Sequence, residues 1–215
     1  MSLLMFLQEQ QSAVILTDTL ATTTGGEPLI FQSKAWTIPH LNMGIAITGV
    51  ANLGASWNDF LRSSLVARDI NMVDQFAPQE LRRIWSELLV DCGDEENLPN
   101  CTIYHFGFRE GADQLVRYVY RSAKSFESEL WEDPGFGMKP EPMGALEVPD
   151  GLDGWVALAE RVRAEQDALS AEKKVYIGGE LFMLVIRNWQ SQIVRVHRFD
   201  DYEHVWLNMN AQLRR

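Results

Sequence analysis

Three short segments near the start of this chain are apolar at nearly every position: Leu3–Leu7, Ala13–Thr17 and Met43–Thr48. A strand with one wet face alternates apolar and polar residues, so an unbroken apolar run of this length fits a strand covered on both sides. A chain with several such strands needs a layer above and below each sheet. That requirement excludes a simple helical bundle and points to stacked sheets roofed by helices.

The remaining pattern supplies the covers. Gln8–Ser12 is a polar turn, and Thr22–Pro28, with Gly25-Gly26 inside it, is a loop. Lys34–Ile38 and Met43–Thr48 pair as a hairpin through Pro39–Asn42. Periodicity then changes to 3.6: Leu53, Trp57, Phe60, Leu61 and Leu65 predict a helix over Asn52–Arg68. A second helix is expected to start near Pro78 and to stop at Gly93, with Leu81, Ile84, Trp85, Leu88 and Leu89 as its apolar stripe and a loop over Asp91–Asn100.

Strands return at Thr102–Phe108 and Gln114–Tyr120, joined through Gly111. Glu127–Pro149, rich in Pro, Gly and acid, reads as an irregular excursion. Asp153 is placed to cap a helix whose stripe is Trp155, Leu158, Ala159 and Val162. A final hairpin pairs Val175–Arg187 with Gln192–Arg198, Trp189 lies at its tip facing a partner subunit, and a short tail runs to Arg215. The expectation is a single layered α+β domain spanning residues 1–215.

Composition narrows the function classes. A formal charge of −11 over 215 residues, with no basic stripe, argues against nucleic acid as a partner, because such binding depends on Lys and Arg displacing counterions. No apolar run approaches a membrane span, and the opening Met1–Leu7 lacks a basic leader region, so no membrane partner and a cytoplasmic location are expected. Two cysteines, Cys92 and Cys101, suit a reduced compartment, with a disulfide between them the minor alternative. His40, His105, His197 and His204 show no metal-ligand spacing, and neither a P-loop nor a dinucleotide fingerprint occurs, so no metal and no cofactor are expected.

The candidate chemistry lies in the first fifty residues. Ser2, Asp18 and Lys34 stand sixteen apart, and Gly49 follows the next hairpin. Once Met1 is removed, Ser2 carries a hydroxyl and a free α-amine on one residue, and an amine of ordinary pKa about 7.7–8.0 is a usable base at neutral pH. This order of residues resembles the proteasome β-subunit-like branch of the N-terminal-nucleophile (Ntn) hydrolases. The resemblance implies a four-layer αββα sandwich and a homo-oligomer, in some relatives a ring. It also implies cleavage of a peptide or small amide substrate, with Ser2 as nucleophile, Lys34 as electrostatic activator, Asp18 as its partner and the Gly49 N–H as oxyanion donor.

The chain departs from that pattern at several points. Leu20 stands where the family carries Arg, and the hairpin after Lys34 is one residue longer before its glycine. Phe136, Lys174 and Ile177 fall where the resemblance expects hydroxyls and a carboxylate supporting the amine. These departures motivate the competing expectation of a catalytically silent Ntn-fold subunit used for assembly or binding. A sheet-rich ligand-binding domain unrelated to these enzymes is the third class, and it would leave Lys34 far from residue 2.

Overall fold

The computed structural model describes residues 2–23, 25–63, 66–92 and 99–213; the side chains of residues 91, 92, 212 and 213 are also outside the description. The Cys92–Cys101 disulfide, the Gly93 helix stop and most of the Asp91–Asn100 loop fall outside the described residues.

Two five-stranded antiparallel sheets dominate. The first joins β1 (Leu4–Gln8), β2 (Ser12–Asp18), β10 (Gly135–Lys139), β11 (Glu180–Arg187) and β12 (Gln190–Arg198) in the order β10-β1-β2-β11-β12. The second joins β5 (Ala35–Ile38), β6 (Met43–Thr48), β7 (Thr102–Phe108), β8 (Leu115–Arg121) and β9 (Ser128–Trp131) in chain order. A two-stranded ribbon, β3 (Leu20–Thr22) with β4 (Pro28–Phe31), flanks the loop around Gly25-Gly26.

The unbroken apolar runs are explained by three buried layers. Leu4, Phe6, Ala13, Ile15, Leu184 and Ile186 of the first sheet meet Ala35, Ala46, Tyr104, Phe106, Phe108, Leu115 and Val119 of the second. The alternate residues point outward. Ile45, Ile47, Ile103 and Tyr120 pack with Trp57 of α1 (Ala51–Ser63) and Val73, Ala77 and Leu81 of α2 (Ile70–Cys92). Leu3, Met5, Leu16 and Met183 pack with Trp155, Leu158, Ala159 and Val162 of α3 (Gly151–Asp167). Every residue of β6 and β7 thus leaves water whichever way it points, at about 25 cal/mol per Å² of apolar surface.

Several boundaries correct the sequence reading. Helix α1 ends at Ser63, short of Arg68. Helix α2 begins at Ile70, eight residues before Pro78, because Asp69 caps it: the Met72 N–H donates to Asp69 Oδ1 at 2.8 Å. Ile70, Val73, Ala77 and Leu81 then form one buried stripe, so packing holds the helix through Pro78. The supposed excursion over Glu127–Pro149 contains β9 and β10, the edge strands of the two sheets. Helix α3 starts at Gly151, which puts Asp153 in its first turn rather than at its cap. Strand β11 begins at Glu180 rather than Val175, whose N–H is taken at 2.9 Å by the Gln166 side chain. The tail folds as α4 (Tyr202–Leu213), which lies on β4 with Tyr202 stacked on Phe31 at 4.6 Å.

Candidate active site

Asp18 is the last residue of β2, on a strand hydrogen-bonded on both sides, and it is fully buried. Its carboxylate collects three donors. Oδ1 accepts from Lys34 Nζ at 2.7 Å and from the Leu3 backbone N–H at 3.0 Å, and Oδ2 accepts from the Gly178 N–H at 3.2 Å. A buried carboxylate is tolerated only when its lone pairs are filled in this way.

Lys34 precedes β5 and is 2% exposed. Its Nζ also donates to the Leu20 carbonyl at 2.6 Å, so the ammonium has two fixed acceptors. Burial pulls its pKa below the ordinary lysine value, and the attraction of Asp18 opposes that pull. The Lys34 carbonyl accepts the Ile47 N–H at 2.9 Å, which fixes the lysine two residues from Gly49 across the β5–β6 ladder.

Ser2 is 5% exposed and sits two residues before β1. The peptide unit joining it to Leu3 is the one whose N–H reaches Asp18, so the serine lies beside the Asp18–Lys34 pair. Gly49 forms the turn from β6 into α1 with φ of +110°, a conformation for which glycine is the default residue. A Cβ there would lie 2.6 Å from the Asn100 carbonyl oxygen and 2.8 Å from Cys101 Cα. The structure therefore brings the Ser2–Leu3 peptide, Asp18 and Lys34 together, and Gly49 follows the end of β6 that pairs with the start of β5.

Two neighbours are absent from the sequence reading. Cys101 Sγ accepts the Val50 N–H at 3.0 Å just past Gly49, and burial pushes this thiol up to about 11. Lys139, opposite Leu4 on β10, reaches across to the second sheet and donates to Thr102 Oγ1 at 2.9 Å. The alternation Gly135-Phe136-Gly137-Met138-Lys139 was the available signal for that strand.

Of the aligned support residues, Ile177 adjoins the pair, because the N–H of the Ile177–Gly178 peptide reaches Asp18 Oδ2 at 3.2 Å. Phe136 meets Trp155 edge-on at 5.8 Å, and Ile177 is 4% exposed in the layer under α3. Lys174 pairs with Asp167 at 2.8 Å. At the Leu20 position the backbone carbonyl serves Lys34, while the side chain packs against Gly178. Among the described residues no cluster of three or more His, Cys, Asp or Glu could hold a metal, and no helix is long and apolar enough to cross a membrane.

No family model matches this chain, and no curated protein matches it. Solved structures do. Anbu (ancestral beta-subunit) from Yersinia bercovieri superposes with a TM-score of 0.62 at 11% identity, over 99% of this chain and 93% of that one. The fold is Anbu-like.

An Anbu Gly-1 mutant from Hyphomicrobium sp. strain MC1 gives 0.63 at 11% identity, over 100% and 94% of the two chains. The Anbu complex from Pseudomonas aeruginosa, solved as a helical assembly, gives 0.62 at 12% identity, over 99% and 94%. These likenesses carry the fold, a proteasome-like α+β arrangement. They correct the resemblance drawn from the first fifty residues: the neighbours are Anbu proteins, and no family match places the chain in the proteasome β-subunit branch.

Proposed function

We propose that this chain is an N-terminal-serine amidohydrolase acting on peptide or small amide substrates. The supporting observation is that the Asp18 carboxylate ties the Lys34 ammonium and the Ser2–Leu3 peptide unit to one oxygen. After removal of Met1, the Ser2 amine takes the proton of its own hydroxyl as Oγ adds to the amide carbonyl. The same proton passes to the leaving nitrogen as the C–N bond breaks, and water deprotonated by the amine then hydrolyses the Ser2 ester. Lys34 keeps the neighbouring amine neutral by charge and favours alkoxide character at Oγ. The Gly49 N–H, at the entry to α1, serves as oxyanion donor, a role worth on the order of 3–4 kcal/mol in acyl transfer.

The same reading takes residues 1–215 as a single domain with the two sheets and their helices as a four-layer αββα stack, working in the cytoplasm. The helical assembly of the Pseudomonas aeruginosa neighbour supports a homo-oligomer here. Intact mass of untagged protein, followed by labelling with an acyl-directed electrophile, tests the function. The expected result is loss of Met1 and one adduct on Ser2, absent from Ser2→Ala. Retained Met1, or equal labelling of both proteins, refutes it.

A second reading, a catalytically silent subunit for assembly or binding, draws on Phe136 and Ile177 lying under α3 and on Lys174 being paired with Asp167. It expects Met1 to be retained and Ser2 to be inert.

A further inference from the structure

Beyond Ser2, the inter-sheet layer contains a polar end that the proposed chemistry does not use. Arg117 on β8 is 7% exposed and faces the first sheet, as Leu115 and Val119 do. Its guanidinium lies 4.4 Å from the Phe6 ring centroid and 5.3 Å from that of Trp131. Among the described residues, Nε and Nη1 are buried without a hydrogen-bond partner. The acid on the neighbouring strand, Glu129, is engaged by Arg121 and Lys124. Burial holds Arg117 down at about 10, and aromatic faces leave its in-plane N–H groups unfilled.

Gln8, 1% exposed, complements it. Its Nε2 donates to the carbonyls of Leu115 and Trp131 at 3.4 and 3.5 Å, which orients the amide and leaves buried Oε1 as an acceptor without a donor. Unmatched donors and an unmatched acceptor occupy one end of the buried inter-sheet layer in a protein of net charge −11. Each such group carries its full desolvation cost when left unpaired, more when charged. A ligand offering both a carboxylate and an N–H would fill the set.

The position relates this end to the serine. Phe6, against which Arg117 lies, is four residues along β1 from Ser2, roughly 13 Å at strand rise. Lys139, whose Nζ is 5.9 Å from the Tyr104 ring centroid, lies between the two, and Tyr104 in turn contacts Phe6 at 5.7 Å between centroids. Trp131, 48% exposed on edge strand β9, forms the outer wall.

We propose that this end of the layer is a subsite for an acidic residue of a peptide substrate, with Arg117 taking the carboxylate and Gln8 Oε1 accepting a backbone N–H. The proposal rests on the Ser2 reading for what happens to the peptide, and it adds a substrate class: chains carrying Asp or Glu about three or four residues from the attacked carbonyl.

Binding is tested separately from turnover on processed Ser2→Ala protein. The probes are N-acetyl pentapeptide amides of alanine with one Glu walked through the positions, their Gln counterparts, and glutarate. Trp131 reports as the fluorescence difference from Ser2→Ala/Trp131→Phe. The expected result is one position at which Glu binds about tenfold or more tighter than Gln, the strength of a charge-assisted hydrogen bond. Arg117→Met should erase that preference and Arg117→Lys should keep part of it. Equal binding of Glu and Gln peptides at every position overturns the proposal, whatever the variants do. A preference that survives Arg117→Met overturns it too, as does saturation by glutarate with no peptide preference. A Glu preference in binding, together with no hydrolysis of the same peptide by the Ser2 protein, supports the subsite and refutes the Ser2 reading alone.

Discussion

Asp18 Oδ1 lies 2.7 Å from Lys34 Nζ, and the same oxygen takes the N–H of Leu3 at 3.0 Å. The ion pair and the start of the first strand are therefore one hydrogen-bonded unit. Removing the carboxylate charge weakens both, and the ion pair most.

Asp18→Asn tests this unit. The amide keeps the shape but leaves the 2%-exposed Lys34 without its counter-charge. Breaking a buried pair from one side costs about 3–5 kcal/mol, and guanidinium denaturation should read a loss of that size. Lys34→Met, on the proposed mechanism, lowers Ser2 acylation by on the order of 10²-fold or more, measured as the labelling rate. A labelling rate unchanged in Lys34→Met removes the lysine from the chemistry.

His105 gives the fold a pH dependence of its own. It is fully buried, its Nε2 accepts the Trp57 indole N–H at 2.7 Å, and its Nδ1 has no partner. Burial lowers its pKa from 6.5 to about 3. Between those values the unfolded chain binds a proton that the native protein does not, so stability falls as pH drops below 6.5 and the loss levels off below about 3. His105→Gln keeps an acceptor for Trp57 and cannot titrate. Between pH 7 and pH 5 the parent should lose about 2 kcal/mol more than this variant by urea unfolding. Parallel losses would show that His105 is not buried neutral.

How much of this was legible in the residues depends on what each signal measures. Strands such as Met43–Thr48 and Thr102–Phe108 announced themselves because both faces are buried, which leaves few polar residues to blur the run. The pairing of Asp18 with Lys34 was legible because Asp18 ends β2 and Lys34 immediately precedes β5, where register fixes position. Edge strands β9 and β10 were hidden because one side of each pairs with nothing, so exposed Leu130 and Trp131 and glycines 135 and 137 read as loop. Helix α2 was mis-started because a proline signal outweighed the Asp69 cap, which tertiary packing made decisive. Arg117 was invisible for another reason. A lone arginine in a strand reads as a solvated charge until the opposite sheet is known to cover it.

Gly49 separates conformational strain from steric cost. Gly49→Ala meets backbone atoms at 2.6 and 2.8 Å with φ at +110°. Gly111→Ala, with φ of +75°, meets nothing within 4 Å. The second change carries only the left-handed penalty, about 1–2 kcal/mol. The first adds displacement of the Asn100–Cys101 segment and should cost at least about 1 kcal/mol more, together with loss of Ser2 labelling. Equal costs by thermal unfolding would mean that the segment yields freely.

Trp189 is the residue whose local geometry argues most directly for a partner. It adopts φ of +57° at the tip of the β11–β12 hairpin, is 73% exposed, and has its N–H held at 2.9 Å by Asn42 Oδ1. A bulky residue in the left-handed region costs about 1–2 kcal/mol where asparagine costs less. An exposed indole recovers nothing from the core. Trp189→Asn should therefore raise the unfolding free energy of the dilute protein by about 0.5–1 kcal/mol. If the indole packs against a second copy, as the proposed homo-oligomer requires of an anchor at this tip, the same variant shifts sedimentation velocity profiles towards smaller species at concentrations where the parent is assembled. Greater stability with unchanged assembly would take Trp189 out of the interface and leave its strained backbone without a binding role.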